Sequence, residues 1–179
     1  MIIKRRKQTV DYFIMKTDKR LRRLPQLLAD EAFFFGKKTR TPIVYVKEYG
    51  GLSIEYADYL EDPVPLIADK FQKILQKYQP DMALLRVMLI EKESGRQKAY
   101  CLMQPPEILC ADREKSRYDA KGVLQDFVLD AKQAGNRSIF LAKDYNRQLV
   151  VRLDAAESIL RREPNGIWFE PVHTAERSE

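Results

Sequence analysis

The sixteen residues LIADKFQKILQKYQPD, Leu66–Asp81, decide how the rest of the chain is read. Phe71, Ile74 and Leu75 recur at helical spacing, Asp69 is placed as the N-cap, and Gln72 follows three residues on. Pro80 stops the helix near Gln79, and the apolar run MALLRVMLIEKE then reads as a buried strand. Moved by 85 positions, the stretch lies on the end of the chain. Asp69 meets Asp154, Gln72 meets Glu157, Ile74–Leu75 meets Ile159–Leu160, Val87 meets Val172, and Asp81 falls on Gly166. Only four of the 22 aligned pairs are identical, so the shared feature is the pattern. Residues 66–87 and 151–172 are expected to form two similar helix–turn–strand units, each capped by its aspartate.

The remaining segments read mostly as strands. QTVDYFIMKTD is rich in β-branched and aromatic residues, and TPIVYVKEY is a strand closed by the Gly50–Gly51 turn. Pro25 suits the first turn of a short helix that Gly36 ends. LSIEYADYLEDP reads as an irregular or edge-strand stretch, and Pro105–Pro106 keep PPEILCAD extended. KAYCLMQ, QDFVLD, SIFLAKD and RQLVVRL are further strands, with Gly135–Asn136 and Asp144–Tyr145–Asn146 in turns. The expected class is α+β, with a mixed, mainly antiparallel sheet, in one domain spanning 1–179.

The net charge of +6 is unevenly placed: residues 1–40 hold twelve Lys or Arg against four Asp or Glu. The other residues hold twenty against twenty-two, so the basic character belongs to the first forty. No run of eighteen apolar residues exists to span a membrane. The start, MIIKRRKQTVDYF, carries charge where a signal peptide needs an apolar core, which points to a cytoplasmic protein. Two cysteines, Cys101 and Cys110, make no disulfide framework and read as free thiols.

One histidine, His173, excludes a site built on several imidazoles. Neither YGGL nor AKGV has the spacing of a phosphate-binding loop. The stretch richest in chemistry is LCADREKSRYDAKG, Leu109–Gly122. Its Asp112, Glu114 and Asp119 alternate with Arg113, Lys115 and Arg117, the pattern of a charged turn. No catalytic residue, metal or cofactor is expected, and the chain reads as a non-enzyme.

PLIADKFQKILQKYQPD, CADREKSRYD, FVLD, IFLAKDYNRQLVV and WFEPV occur in an order that resembles a bacterial family. It is the immunity-protein family numbered eleven of polymorphic toxin systems. The landmark positions are Asp69, Cys110, Asp112, Glu114, Lys115 and Ser116, within a likeness covering Pro42 to Val172. The resemblance implies a cytoplasmic protein that binds and neutralises a cognate toxin, and it transfers no catalytic residue.

Tyr45, Tyr49, Tyr56 and Tyr59 fall within fifteen residues, among Glu55, Asp58, Glu61 and Asp62. Tyrosine offers large, stiff contact area with a polar tip. The expected toxin-binding surface is therefore Tyr49, Glu55, Tyr56, Asp58, Tyr59, Glu61 and Asp62. The alternative is a nucleic-acid or anion binder using Lys4, Arg5, Arg6 and Lys7 with Arg20, Arg22 and Arg23. That cluster has no aromatics interleaved in sequence, so nucleic acid is the weaker partner.

Overall fold

A computed structural model of the chain describes residues 11–36 and 41–175. It begins with β1 (Tyr12–Thr17), β2 (Gln26–Leu27), α1 (Glu31–Phe35), β3 (Ile43–Lys47), β4 (Tyr59–Leu60) and β5 (Leu66–Ala68). A 3-10 turn (Asp69–Phe71) leads into α2 (Gln72–Tyr78), β6 (Ala83–Glu91), β7 (Gln97–Gln104) and β8 (Glu107–Ile108). Next are β9 (Arg117–Tyr118), β10 (Leu124–Asp126), β11 (Val128–Leu129) and α3 (Ala131–Ala134). The order closes with β12 (Ile139–Ala142), β13 (Gln148–Arg152), α4 (Leu153–Leu160) and β14 (Ile167–Thr174). One six-stranded sheet runs β2-β3-β6-β7-β5-β4 and a second runs β11-β14-β1-β13-β12-β8. The strands pair mainly antiparallel, and the class is α+β.

The 85-residue shift is visible in the hydrogen-bond register. β5 and β6 are both antiparallel to β7, so they run parallel to each other with β7 between them and α2 crossing over. β13 and β14 flank β1 in the same way, with α4 as the crossover. The repeat also reaches upstream of both helices. β3 lies parallel to β6 with Ile43 opposite Met88 and Val44 opposite Leu89. β11 lies parallel to β14 with Val128 opposite His173 and Leu129 opposite Thr174, each partner 85 residues on. The units differ in their middle strand: β7 follows the first unit directly, whereas β1 comes from the start of the chain.

Their inner faces build one shared core. Tyr59, Ile67, Phe71, Leu75, Cys101 and Met103 of the first unit meet Ile139, Leu141, Leu149, Val151 and Ile159 of the second, together with Met15 of β1. The buried Gln79, just after α2, accepts hydrogen bonds at Oε1 from the amides of Ser138 (3.1 Å) and Ile139 (3.3 Å). It thereby satisfies second-unit donors that would otherwise be orphaned. The outer faces carry separate cores. Val44, Val46, Leu66, Val87 and Leu89 form one with Phe34 and Ile54. Tyr12, Ile14, Phe140 and Val150 form the other with Cys110, Phe127 and Leu129. Gly166 ends the turn before β14 at φ +70°, where an added Cβ would stand 2.5 Å from Leu21 and 2.7 Å from Ala57.

Several expectations need correction. Neither Asp69 nor Asp154 is an N-cap. β13 runs straight into α4, so the capping position is Arg152, and Ala68 at the end of β5 plays that part before the 3-10 turn. With no loop residue between strand and helix, the aspartates fall inside the first turn. Asp154 there binds Arg152 (2.8 Å) and the Ala155 amide (2.9 Å). Asp69 faces Arg86 at 3.5 Å. The helix expected from Pro25 starts instead at Glu31, because Gln26–Leu27 pair with β3 and Asp30 caps the Phe33 amide. QDFVLD is broken into β10 and β11, and Asp130 then caps the short helix α3, which sequence pattern did not foresee. Among the described residues, no helix is long and apolar enough to cross a membrane.

Candidate functional site

The tyrosine–acid segment is mostly half-buried. Tyr59 is 2 % exposed within the shared core, so it is no surface anchor. Tyr49 and Tyr56 are half-buried, and their hydroxyls donate to the Leu24 carbonyl (2.7 Å) and the Glu91 carboxylate (2.9 Å). Glu55 accepts from the Arg22 and Arg23 amides, both at 2.9 Å. Those two bonds, with the nearby arginine charges, hold its carboxyl below the usual range. Asp58 accepts from the Asn165 amide (2.7 Å) and pairs with Lys70 (2.6 Å). Four of the seven expected contacts, Tyr49, Glu55, Tyr56 and Asp58, thus fasten loops of the protein to one another. Glu61 and Asp62, with Tyr59, line a surface cleft.

The landmark stretch is where an accessible, chemically distinct surface forms. An open hollow of about 990 Å³ is lined by Asp112, Glu114, Asp130 and Asp144, with Arg113 as its one cation. Leu109 (60 % exposed) and Tyr118 (43 % exposed) add apolar area to its wall. Hydrogen bonds set its frame. Asp144 Oδ2 accepts from the Cys110 (3.0 Å) and Ala111 (2.8 Å) amides. Asp112 Oδ1 accepts from the Glu114 (3.0 Å) and Lys115 (3.1 Å) amides. The buried Ser116 hydroxyl bridges the Val128 amide and carbonyl, which ties the turn to β11. Each of these aspartates holds a turn with one oxygen while its charge still faces the hollow. The sequence placed Asp112 and Glu114 together but missed Asp130 and Asp144, which only the β12 turn and α3 bring in.

Cys110 sits beneath this surface, fully buried, with its thiol pushed up to about 12 by burial and then by Asp144. Burial also raises the Cys101 thiol. Both stay protonated at neutral pH, whereas a nucleophilic cysteine requires a lowered value. His173 lies on β14 opposite Val128, away from the hollow's lining. Among the described residues, no group of three or more His, Cys, Asp or Glu is arranged to hold a metal ion.

Of the basic residues, Lys4, Arg5, Arg6 and Lys7 lie outside the described residues. Arg20 pairs with Asp18 (2.6 Å), and the Arg23 guanidinium binds the Ser53 carbonyl (3.0 Å). Three hollows meet around Lys19, and the one beside Arg20 and Lys16 is walled by Trp168, 53 % exposed.

A scan against protein-family models finds none that matches the chain, and a search of curated proteins finds no match.

Proposed function

We propose that this chain is a cytoplasmic immunity-type protein that binds and neutralises a cognate bacterial toxin. The contact surface is the acidic hollow between Leu109 and Asp144. One observation carries the reading: four carboxylates and two exposed apolar side chains share an open hollow on a chain whose net charge is +6. An acidic concavity steers a basic partner, and an exposed tyrosine beside it supplies area to bury once contact is made. Two of the landmark residues that carry the resemblance to the immunity family, Asp112 and Glu114, line the hollow, and Cys110, Lys115 and Ser116 lie in the same stretch of chain. The reading is non-enzymatic, in keeping with thiols held protonated and aspartates spent on turns. Co-expression with the toxin encoded beside its gene should protect the host cell and yield a complex that survives purification. Death of the host, with no complex formed, contradicts the reading.

A second reading is favoured by Trp168. The structure sets this ring across the strand pair from Lys16, beside Lys19 and Arg20, so the basic region does have a stacking aromatic. Retention of the purified protein on DNA at physiological salt would promote nucleic-acid binding above the toxin.

A further inference from the structure

The first sheet carries an uncovered apolar strip on the face that elsewhere builds the shared core. On β3, Val44 and Val46 point into the outer core, so Ile43, Tyr45 and Lys47 point to the inner face. The register sets Ile43 beside Met88 and Tyr45 beside Ile90 on β6. Leu28, whose amide donates to the Tyr45 carbonyl (2.8 Å), extends that second rung just past β2. Leu28, Ile43 and Tyr45 are 59, 53 and 43 % exposed, and Met88 and Ile90 are half-buried. Exposed apolar side chains scattered singly mean little, but a contiguous patch of them on one face marks a contact surface.

Neighbouring parts of the same face show what covers such a surface. One rung further along, Arg86 lies opposite Cys101 and binds Asp69 (3.5 Å). Beyond that pair the cover is helical: Phe71 and Leu75, on the 3-10 turn and α2, join Cys101 and Met103 in the shared core. β2, β3 and β6 are together about 10 Å wide, the diameter of one helix. The framework does not demand an apolar strip here. In the second unit Val128, Asp130 and His173 stand where the first has Ile43, Tyr45 and Met88, and His173 is exposed. The rim of the strip is basic. Lys47 has no described ion-pair partner, the Lys92 ammonium stands 4.7 Å from the centre of the Tyr45 ring, and Arg86 closes the other border. Nearby carboxylates are turned away or engaged: Glu91 lies beside Val46 on the opposite face, Asp30 caps α1, and Glu48 accepts from the Glu93 amide (2.7 Å).

We propose that this strip docks an amphipathic helix of a partner protein, apolar on one face and flanked by Asp and Glu. The helix continues the layer that α2 begins. Leu28, Ile43, Tyr45 and Met88 receive its apolar side, and Lys47 and Lys92 meet its carboxylates. A second copy of this chain fits less well, because in a two-fold pair each basic rim faces another basic rim. Residues 37–40, Lys-Lys-Thr-Arg, lie outside the described residues and bring no apolar side chain to cover the strip. This inference stands apart from the toxin reading, because the hollow draws a basic partner and shares no residue with the strip.

The test is selection from a displayed library of helical peptides against the immobilised full chain, with no toxin present. Every peptide carries leucine at i, i+3, i+4 and i+7, and the flanking positions vary among Glu, Lys and Ser. Peptides with acidic flanks should be recovered and should bind saturably. Ile43→Thr with Tyr45→Thr keeps β-forming residues in the strand, so the melt should match the wild type while affinity for the selected peptide falls roughly tenfold or more. Lys47→Glu with Lys92→Glu should transfer the preference to lysine-flanked peptides, which a purely apolar contact would not do. No recovery, recovery without a charge preference, or undiminished binding by the threonine variant overturns the proposal. A concentration-dependent dimer that the threonine substitutions abolish overturns it in favour of a second copy. Adhesion to phosphatidylglycerol vesicles that the same substitutions abolish overturns it in favour of a membrane surface.

Discussion

The two units of this protein keep one framework and differ in what they hang on it. Their parallel pairs share a register to the residue: Ile43 faces Met88 and, 85 positions later, Val128 faces His173. Yet none of those residue types is repeated. What is preserved is the sequence of directions, a strand, a crossover helix, and a strand returning two places along the sheet. The departures lie in what covers each sheet. The outer face of the first sheet is covered by a largely apolar packing of Phe34, Ile54, Leu21 and Leu24. The outer face of the second is covered by the segment that holds Cys110 and Phe127, and that segment also builds the acidic hollow. At the junction, one turn became Glu61–Asp62 and its counterpart Asn146–Arg147. The two units share the scaffold and differ in the surfaces built on it.

If the units are a single cooperative body, damage to one must be felt by both. Phe71→Ala removes a fully buried ring from the shared core and should cost about 3–5 kcal/mol. Thermal unfolding should stay a single transition at lower temperature, because Ile139, Leu149 and Ile159 lose the same neighbourhood. Two separate transitions would show that the units fold independently.

A smaller effect separates the two first-turn aspartates. Asp154 is held below the ordinary carboxylate range, first by its bidentate bond to Arg152. Its folded value is depressed, so its contribution is present above the unfolded value and disappears as pH falls through the folded one. Because the pair is half-exposed, Asp154→Ala should cost about 0.5–1 kcal/mol near neutrality, fading in acid. Asp69, facing Arg86 at 3.5 Å in a pair whose arginine is the more open to solvent, should cost only about 0.2 kcal/mol when changed to alanine. Chemical denaturation of both variants at neutral and acid pH reads the difference, and equal losses would remove it.

How much of this was legible in the sequence follows from how local each feature is. The Leu66–Asp81 pattern correctly gave a helix entering a strand, and its echo gave the second unit, since 3.6-residue and two-residue periods are written along the chain. The caps were misread because capping depends on whether a loop residue precedes the helix, and here strand meets helix directly. Clustering in sequence does not reveal burial: Tyr59 faces the shared core, whereas Tyr49 and Tyr56 stay half-buried with the Tyr56 hydroxyl bound to Glu91, 35 residues away. Of the hollow, Asp112 and Glu114 could be picked out by their spacing. Asp144 could not, since only the pairing of β8 with β12 sets it against the Cys110 amide.

The central claim is that the acidic hollow, rather than the tyrosine segment, holds the toxin. The measurement that tests it most directly is the affinity of the purified toxin for the variant combining Glu114→Lys and Tyr118→Ala. Glu114 bears no described side-chain hydrogen bond or ion pair, and Tyr118 is 43 % exposed, so the melting temperature should match that of the wild type. The account predicts at least a roughly tenfold loss of affinity, with a slower association rate from the reversed charge. Toxin binding at wild-type affinity by a variant that melts normally would contradict it.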